Sequence, residues 1–198
     1  MNFFTKTERI STNVLLPAYD FRKAGGIAMN HTPLFIVTGL SGAGKTITSK
    51  VLRRIATNFY VFDMDILVEN HDFQKASCQW LTIARYNSIS QKPTVLIGAV
   101  PNPYNLEICK DYQAFSTVHT ALLHCNHEDR YKRLQARGSV WTDKNIVLTI
   151  EEAERHYNEA KAKKMPIINT SLYTVEEVAE GLYYWVENIL LQHGKQKP

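Results

Sequence analysis

Short runs of consecutive apolar residues alternate along the chain with longer stretches in which apolar residues recur every three or four positions. The runs are Leu34-Phe35-Ile36-Val37, Phe59-Tyr60-Val61-Phe62, residues 94–100 (TVLIGAV), residues 118–125 (VHTALLHC) and Met165-Pro166-Ile167-Ile168-Asn169. Continuous apolar character of this length predicts strands buried on both faces, as in a parallel sheet. Between them, Ile47, Val51, Leu52 and Ile55 predict one apolar face of a helix over residues 45–57, with Lys50, Arg53 and Arg54 outside. Phe73, Ala76, Trp80, Ile83 and Ala84 predict a second helix over 73–91, ended by Pro93. Asn126 reads as the N-cap of a basic helix over 127–137, and Thr149-x-x-Glu152 and Thr174-x-x-Glu177 read as capping boxes that open two more. The last carries a stripe of Val175, Val178, Leu182, Trp185, Val186 and Ile189, which at this spacing is core. Five strands alternating with helices and no internal repeat predict an α/β domain with helices on both faces of the sheet. Residues 101–117, with two prolines, Tyr104, Tyr112 and Phe115, predict a loop with a short helix that walls an acceptor site. The polar stretch 138–147 reads as a mobile lid, and 194–198 as a frayed tail.

The first strand runs into Gly39-Leu40-Ser41-Gly42-Ala43-Gly44-Lys45-Thr46, a GxxxxGK[ST] phosphate-binding loop with the strand before it and the helix after it that the motif requires. Its glycines let the backbone curl with N–H groups from Ser41 to Thr46 turned inward, and the following helix adds its uncapped N-terminal amides. Lys45 supplies a mobile positive charge to a polyphosphate, and the Thr46 hydroxyl suits Mg²⁺. Expected nucleotide contacts are therefore Gly39, Ser41, Gly42, Ala43, Gly44, Lys45, Thr46 and Ile47.

Two readings fit Asp63 and Asp65 after the second strand. As a pair at the carboxyl end of a parallel strand, alternating onto the same side, one acid would influence Mg²⁺ and the other would accept a proton from a substrate hydroxyl. As a polar connection, one would merely cap a following helix. Arg130, Arg133 and Arg137 fall on one helical face, either solvated or aimed at a transferring phosphoryl, with Arg137 favoured for the latter role. Arg85 reads as an acceptor-site cation or a solvated residue. The third strand is followed by no acid of the motor-ATPase kind, so Asp63 is the expected magnesium partner, and no Asn-Lys-x-Asp guanine-reading motif is present.

Length and composition change this picture little. At 198 residues, 44% hydrophobic and 21% charged, the chain suits one globular domain. Half of its net charge of +4 lies in the first 32 residues, leaving too little to argue for nucleic acid. Cys78, Cys109 and Cys125 are few, odd in number and far apart, which predicts free thiols, a reducing compartment and a cytoplasmic protein. His124, Cys125 and His127 lack the spacing of a metal site. No apolar run is long enough for a membrane span, and no signal-peptide core is present. Codons for Ala24-Gly25-Gly26 can spell a ribosome-binding site before an ATG at Met29, so the residues before Met29 read either as upstream sequence or as an N-terminal arm.

The order of these motifs resembles the small P-loop kinases: shikimate kinase, gluconate kinase, and the nucleoside and nucleotide kinases related to adenylate kinase. The residues carrying the resemblance are Gly39 to Thr46, Phe62-Asp63-Met64-Asp65, the Arg130/Arg133/Arg137 helix leading into the lid, and Ile168-Asn169-Thr170-Ser171, within 33–192. The resemblance implies a P-loop NTPase fold over 33–198, a three-layer α/β/α domain with a mostly parallel five-stranded sheet and a lid, preceded by an extension over 1–32. It implies ATP and Mg²⁺ as cofactors and a small-molecule acceptor as partner, with no nucleic acid and no membrane. It also implies that Asp63 and Asp65 meet magnesium water and the acceptor hydroxyl, that Arg137 meets the phosphates, and that Thr170 lies by the adenine; Arg133, on the same helical face, is a further candidate nucleotide contact. The glycine run after the third strand and the lid Arg-Pro of shikimate kinases are missing, which points away from shikimate. A P-loop alone also fits a regulatory ATPase that acts through a protein partner.

Overall fold

The computed structural model describes residues 32–98 and 105–195. The predicted upstream segment and tail end lie outside them, as do residues 99–104 of the acceptor-wall loop. Five parallel strands, β1 (Leu34–Thr38), β2 (Tyr60–Asp63), β3 (Thr94–Ile97), β4 (Val118–His124) and β5 (Ile167–Asn169), form one sheet in the order β2-β3-β1-β4-β5. Helices α1 (Lys45–Ile55), α2 (Phe73–Ile89), α3 (His127–Gln135), α4 (Asp143–Ala162) and α5 (Val175–Lys195) alternate with them. This is an α/β fold, and the strand bearing the phosphate loop lies at its centre.

Alternation along β1 feeds two cores. Phe35 and Val37 join Leu52, Val95, Ile97, Val178, Leu182 and Val186 beneath α1 and α5. Leu34 and Ile36 join Trp80, Leu81 and Leu96 beneath α2. Each fully buried side chain of this size contributes roughly 1.5–3 kcal/mol, so the central strand is anchored from both sides. The α5 stripe is core, with Val178, Leu182 and Val186 buried, and the Thr174 capping box forms: Thr174 N donates to Glu177 Oε2 (2.8 Å) and Glu177 N to Thr174 Oγ1 (3.3 Å).

Four local expectations change. The buried residues of α1 are Lys45, Thr48, Ser49 and Leu52, while Ile47 and Ile55 are exposed; small side chains let α1 lie close to α5. Helix α4 opens at Asp143, capped by Thr142 Oγ1 accepting from Asn145 N, and Thr149 sits inside it with its hydroxyl donating to Asn145 O (2.8 Å). The lid stretch thus shrinks to the turn between α3 and α4, across which Tyr131 Oη donates to Asp143 Oδ1 (2.7 Å). Arg85 pairs with Asp111 at 2.7 Å while its side chain stays 39% exposed, so the solvated residue of the sequence reading also carries an ion pair. Finally, Cys78 and Cys109 are bonded to each other, and Cys125 is the free, buried thiol among the three. Packing of α2 against residues 105–111, with Gln74 Nε2 donating to Asn105 O, brings together two cysteines 31 residues apart. In the chain-entropy view such a link is worth about 3–4 kcal/mol, and the thiol argument for a reducing compartment falls. Among the described residues no helix is long and apolar enough to cross a membrane.

At one rim of the sheet β2 is an edge strand, and its Val61 carbonyl accepts from Arg53 Nε (3.1 Å) while Lys92 Nζ lies 5.3 Å from the Tyr60 ring centroid. At the opposite end of the fold from the loop, the His119 ring stacks on Phe35 (5.4 Å) and shares the Thr117 hydroxyl with His193. Burial, and then the charge of His193, lowers the pKa of His119. His124, against Tyr157 at 4.5 Å, is lowered by burial and then by Arg130. A histidine of lowered pKa binds fewer protons folded than unfolded, so its stabilisation is present above the ordinary value of about 6.5 and is lost as pH falls below it. The thermal midpoint should drop from about pH 7 to about pH 5, and less so in His119→Phe; a midpoint flat across that window in the wild type contradicts this.

Candidate active site

The phosphate loop is held from behind by its own carbonyls. Ser41 O accepts from Arg130 Nη1 (2.5 Å), Gly42 O from Arg133 Nη1 (3.1 Å) and Cys125 Sγ (3.4 Å), and Ala43 O from Thr170 Oγ1 (3.1 Å). In a trans peptide the next N–H points the opposite way, so the Gly42 and Gly44 amides face the cradle. Not every amide does, because Ala43 N donates to Leu40 O (3.1 Å) in a turn. Gly42 (φ 85°) and Gly44 (φ 90°) occupy the left-handed region that L side chains rarely adopt. Gly44 is also the N-cap of α1, which has no side-chain cap and no acid in its first turn. Its first amides and positive dipole end are left to an anion, with Thr46 exposed beside them.

Lys45 is 8% exposed. Burial lowers its pKa, the carboxylates of Asp65 and then Asp63 draw it back up, and Arg137 and Arg130 push with burial. Lys45, Asp63, Asp65 and Arg137 therefore share one electrostatic neighbourhood at the carboxyl end of the sheet. The two acids do not alternate along a strand as expected, since β2 stops at Asp63 and a 3₁₀ turn, Met64–Leu67, carries Asp65. Asp63 Oδ1 caps that turn by accepting from Asp65 N (3.1 Å). The cap reading of the sequence is thus correct for Asp63, and it is compatible with a second duty for its other oxygen.

Gly98, within the apolar run predicted as the third strand, lies just past the end of β3. A Cβ there would stand 2.4 Å from Met64 Cβ and 3.3 Å from Asp65 Oδ1, so glycine is what lets the acid-bearing turn lie against the central sheet. Trp80 Nε1 fixes the same turn by donating to Met64 O (2.9 Å). A close backbone approach of this kind leaves no local signal beyond a glycine at a strand end.

Two clefts are lined by candidate residues. One of about 430 Å³ is walled by Ile47, Arg133, Arg137, Thr170, Tyr173 and Val178, which explains why Ile47 is turned out of the core; Tyr173 was not foreseen. Arg133 also donates to Thr170 Oγ1 and O (2.9 Å each), so Thr170 and Arg133 brace the loop as well as line this cleft. Arg137 lies past the end of α3 and is exposed. The other cleft, about 520 Å³, is lined by Asp65, Val68, Asn70, His71 and Phe73. Asn70 (φ 51°) and His71 (φ 60°) are consecutive left-handed residues at its mouth, a conformation that Asn and His adopt more readily than most.

No protein-family model matches the sequence, and no curated protein matches it by sequence. Among solved structures the chain is similar to the tunicamycin resistance protein of Deinococcus radiodurans, with 19% identity over 79% of this chain and 96% of that one and a TM-score of 0.58. It is also similar to a sugar kinase from Janibacter sp. HTCC2649 (15% identity, 79% and 95% covered, TM-score 0.56) and to a gluconokinase from Sinorhizobium meliloti 1021 (17%, 81% and 97%, 0.53). At these identities the likeness is one of fold, and the fold, with parallel strands in the order 2-3-1-4-5 and a phosphate loop after the central strand, is that of the small P-loop kinases.

Proposed function

We propose that the chain is an ATP-dependent phosphotransferase that moves the γ-phosphoryl group to a hydroxyl of a small, uncharged acceptor. The observation that carries this reading is the placement of Asp65: its charge acts on Lys45 across the loop while its side chain lines the second cleft. ATP would lay its phosphates on the loop amides and Lys45, and its base in the cleft of Ile47, Thr170 and Tyr173. Thr46 and the Asp63 carboxylate are hard oxygen donors that would hold Mg²⁺, which would supply neutralisation of the polyphosphate charge. Asp65 would orient the acceptor hydroxyl and take its proton as the new O–P bond forms; the bond from the γ-phosphorus to the β–γ bridging oxygen breaks and ADP leaves. Lys45 and Arg137 would stabilise the charge on the phosphoryl in passage.

An uncharged acceptor is favoured because the cleft beside Asp65 is lined by an acid, an amide, an imidazole and apolar groups. The lysine and arginine of α2 are not in its lining and have acidic partners, Lys75 with Glu69 and Arg85 with Asp111. The test is acceptor-dependent ADP release over matched pairs, nucleoside against its monophosphate and sugar against its acid. Neutral members should lead by about tenfold in kcat/KM, the worth of one unpaired charge in such a cleft. Anionic members in front would refute the uncharged acceptor, and ADP release indifferent to every acceptor would favour the regulatory-ATPase reading.

A further inference from the structure

Arg130 is the largest fully buried side chain among the described residues, 1% exposed beneath the phosphate loop. Its Nη1 donates to Ser41 O, but its buried Nε has no hydrogen-bond partner, and among the described residues no carboxylate pairs with it. The charges that act on it are those of Cys125 and Arg133. Burial pushes the Cys125 thiol up, so at neutral pH it is uncharged and cannot serve as a counter-ion, while Arg133 is a like charge. A guanidinium does not shed its proton in proteins, and a buried charge without a partner is costly. Its missing partner therefore has to come from outside the described chain. The side chain also stands close enough that a Cβ on Gly42 would lie 3.0 Å from its Cγ.

We propose that Arg130 is a positioning residue of the loop whose counter-ion is the bound polyphosphate: it turns the Ser41 carbonyl away from the cradle and holds a positive charge behind it that only an occupied loop neutralises. The empty protein is then burdened by a charge that the ligand relieves, so occupancy and stability are coupled through one side chain that never touches the ligand. Its influence on the Lys45 ammonium is the sign that this charge is felt inside the cradle. The inference rests on the loop binding a polyphosphate and is independent of whether the phosphoryl group is transferred.

Arg130→Met and Arg130→Lys test it, with the thermal midpoint of the empty protein and the equilibrium Kd for ATP, ADP and AMP as readouts. Arg130→Met should leave the empty protein as stable as the wild type or more so. It should weaken ATP by about tenfold or more, with the loss shrinking from ATP to AMP, because the interaction is one of charge. Arg130→Lys, which keeps the charge, should recover most of the ATP affinity. A brace with no electrostatic role behaves oppositely: the midpoint of Arg130→Met falls, or the variant does not fold, and either result overturns the proposal. So does a loss equal for ATP and AMP, or none at all. Inorganic tripolyphosphate should raise the wild-type midpoint where adenosine does not, and no rise refutes the charge coupling without any variant. Wild-type ATP binding without turnover would instead defeat the transfer reading and leave this one standing.

Discussion

Lys45→Ala is expected to lower acceptor-dependent turnover by about 10²–10³-fold, the scale of removing one preorganised group that meets developing charge. The amine belongs to the first turn of α1, is buried and feels two carboxylates and two guanidiniums, so on the proposed reading it meets the phosphates with little reorganisation. The uncapped amides of α1 and the turned carbonyls of the loop remain in the variant. Nucleotide affinity should therefore fall by less than turnover does. Initial rates under saturating ATP, with ATP affinity from an independent titration, separate the two quantities. A rate near that of the wild type would remove Lys45 from the chemistry.

The second large effect distinguishes the two acids. Asp65→Asn should cost about 10²–10⁴ in kcat, the range of general acid–base catalysis, with ATP affinity close to that of the wild type, because Asp65 is exposed, lines the second cleft and is not part of the loop. Asp63→Asn keeps an oxygen to accept from Asp65 N and so preserves the 3₁₀ turn. Its deficit should appear as a raised magnesium requirement that added Mg²⁺ partly restores. Rates measured over a magnesium series in both variants decide the assignment. Equal, magnesium-independent losses would show that the acids act as one unit.

The strand, loop and helix from Leu34 to Ile55 were legible because continuous apolar sequence and glycine spacing are local signals with local causes. What faced which way was not. Ile47 and Ile55 read as core by periodicity, yet α1 buries Thr48 and Ser49 instead, because the helix begins in the loop and presents Ile47 to the cleft of Arg133, Thr170 and Tyr173. Thr149-x-x-Glu152 has the form of a helix start, but Thr142 supplies a cap seven residues earlier and the pattern falls inside the helix. Arg130 and Arg133 carry sequence-typical solvated charge, and only the packing of α3 against the loop turns them into its supports. The Cys78–Cys109 link and the contact at Gly98 depend on segments far apart in the chain, and no local window contains them.

The outer strand β2 has a further meaning for how molecules of this protein meet. An open sheet rim offers unpaired backbone groups on which another extended chain can grow, the usual seed of fibrils and swapped dimers. Here one such acceptor on that rim is already occupied by Arg53, and the Lys92 ammonium stands over the neighbouring tyrosine. A strand arriving from a second molecule would have to displace a guanidinium and strip water from an ammonium before it could pair, so this border of the sheet discourages lateral growth at high protein concentration.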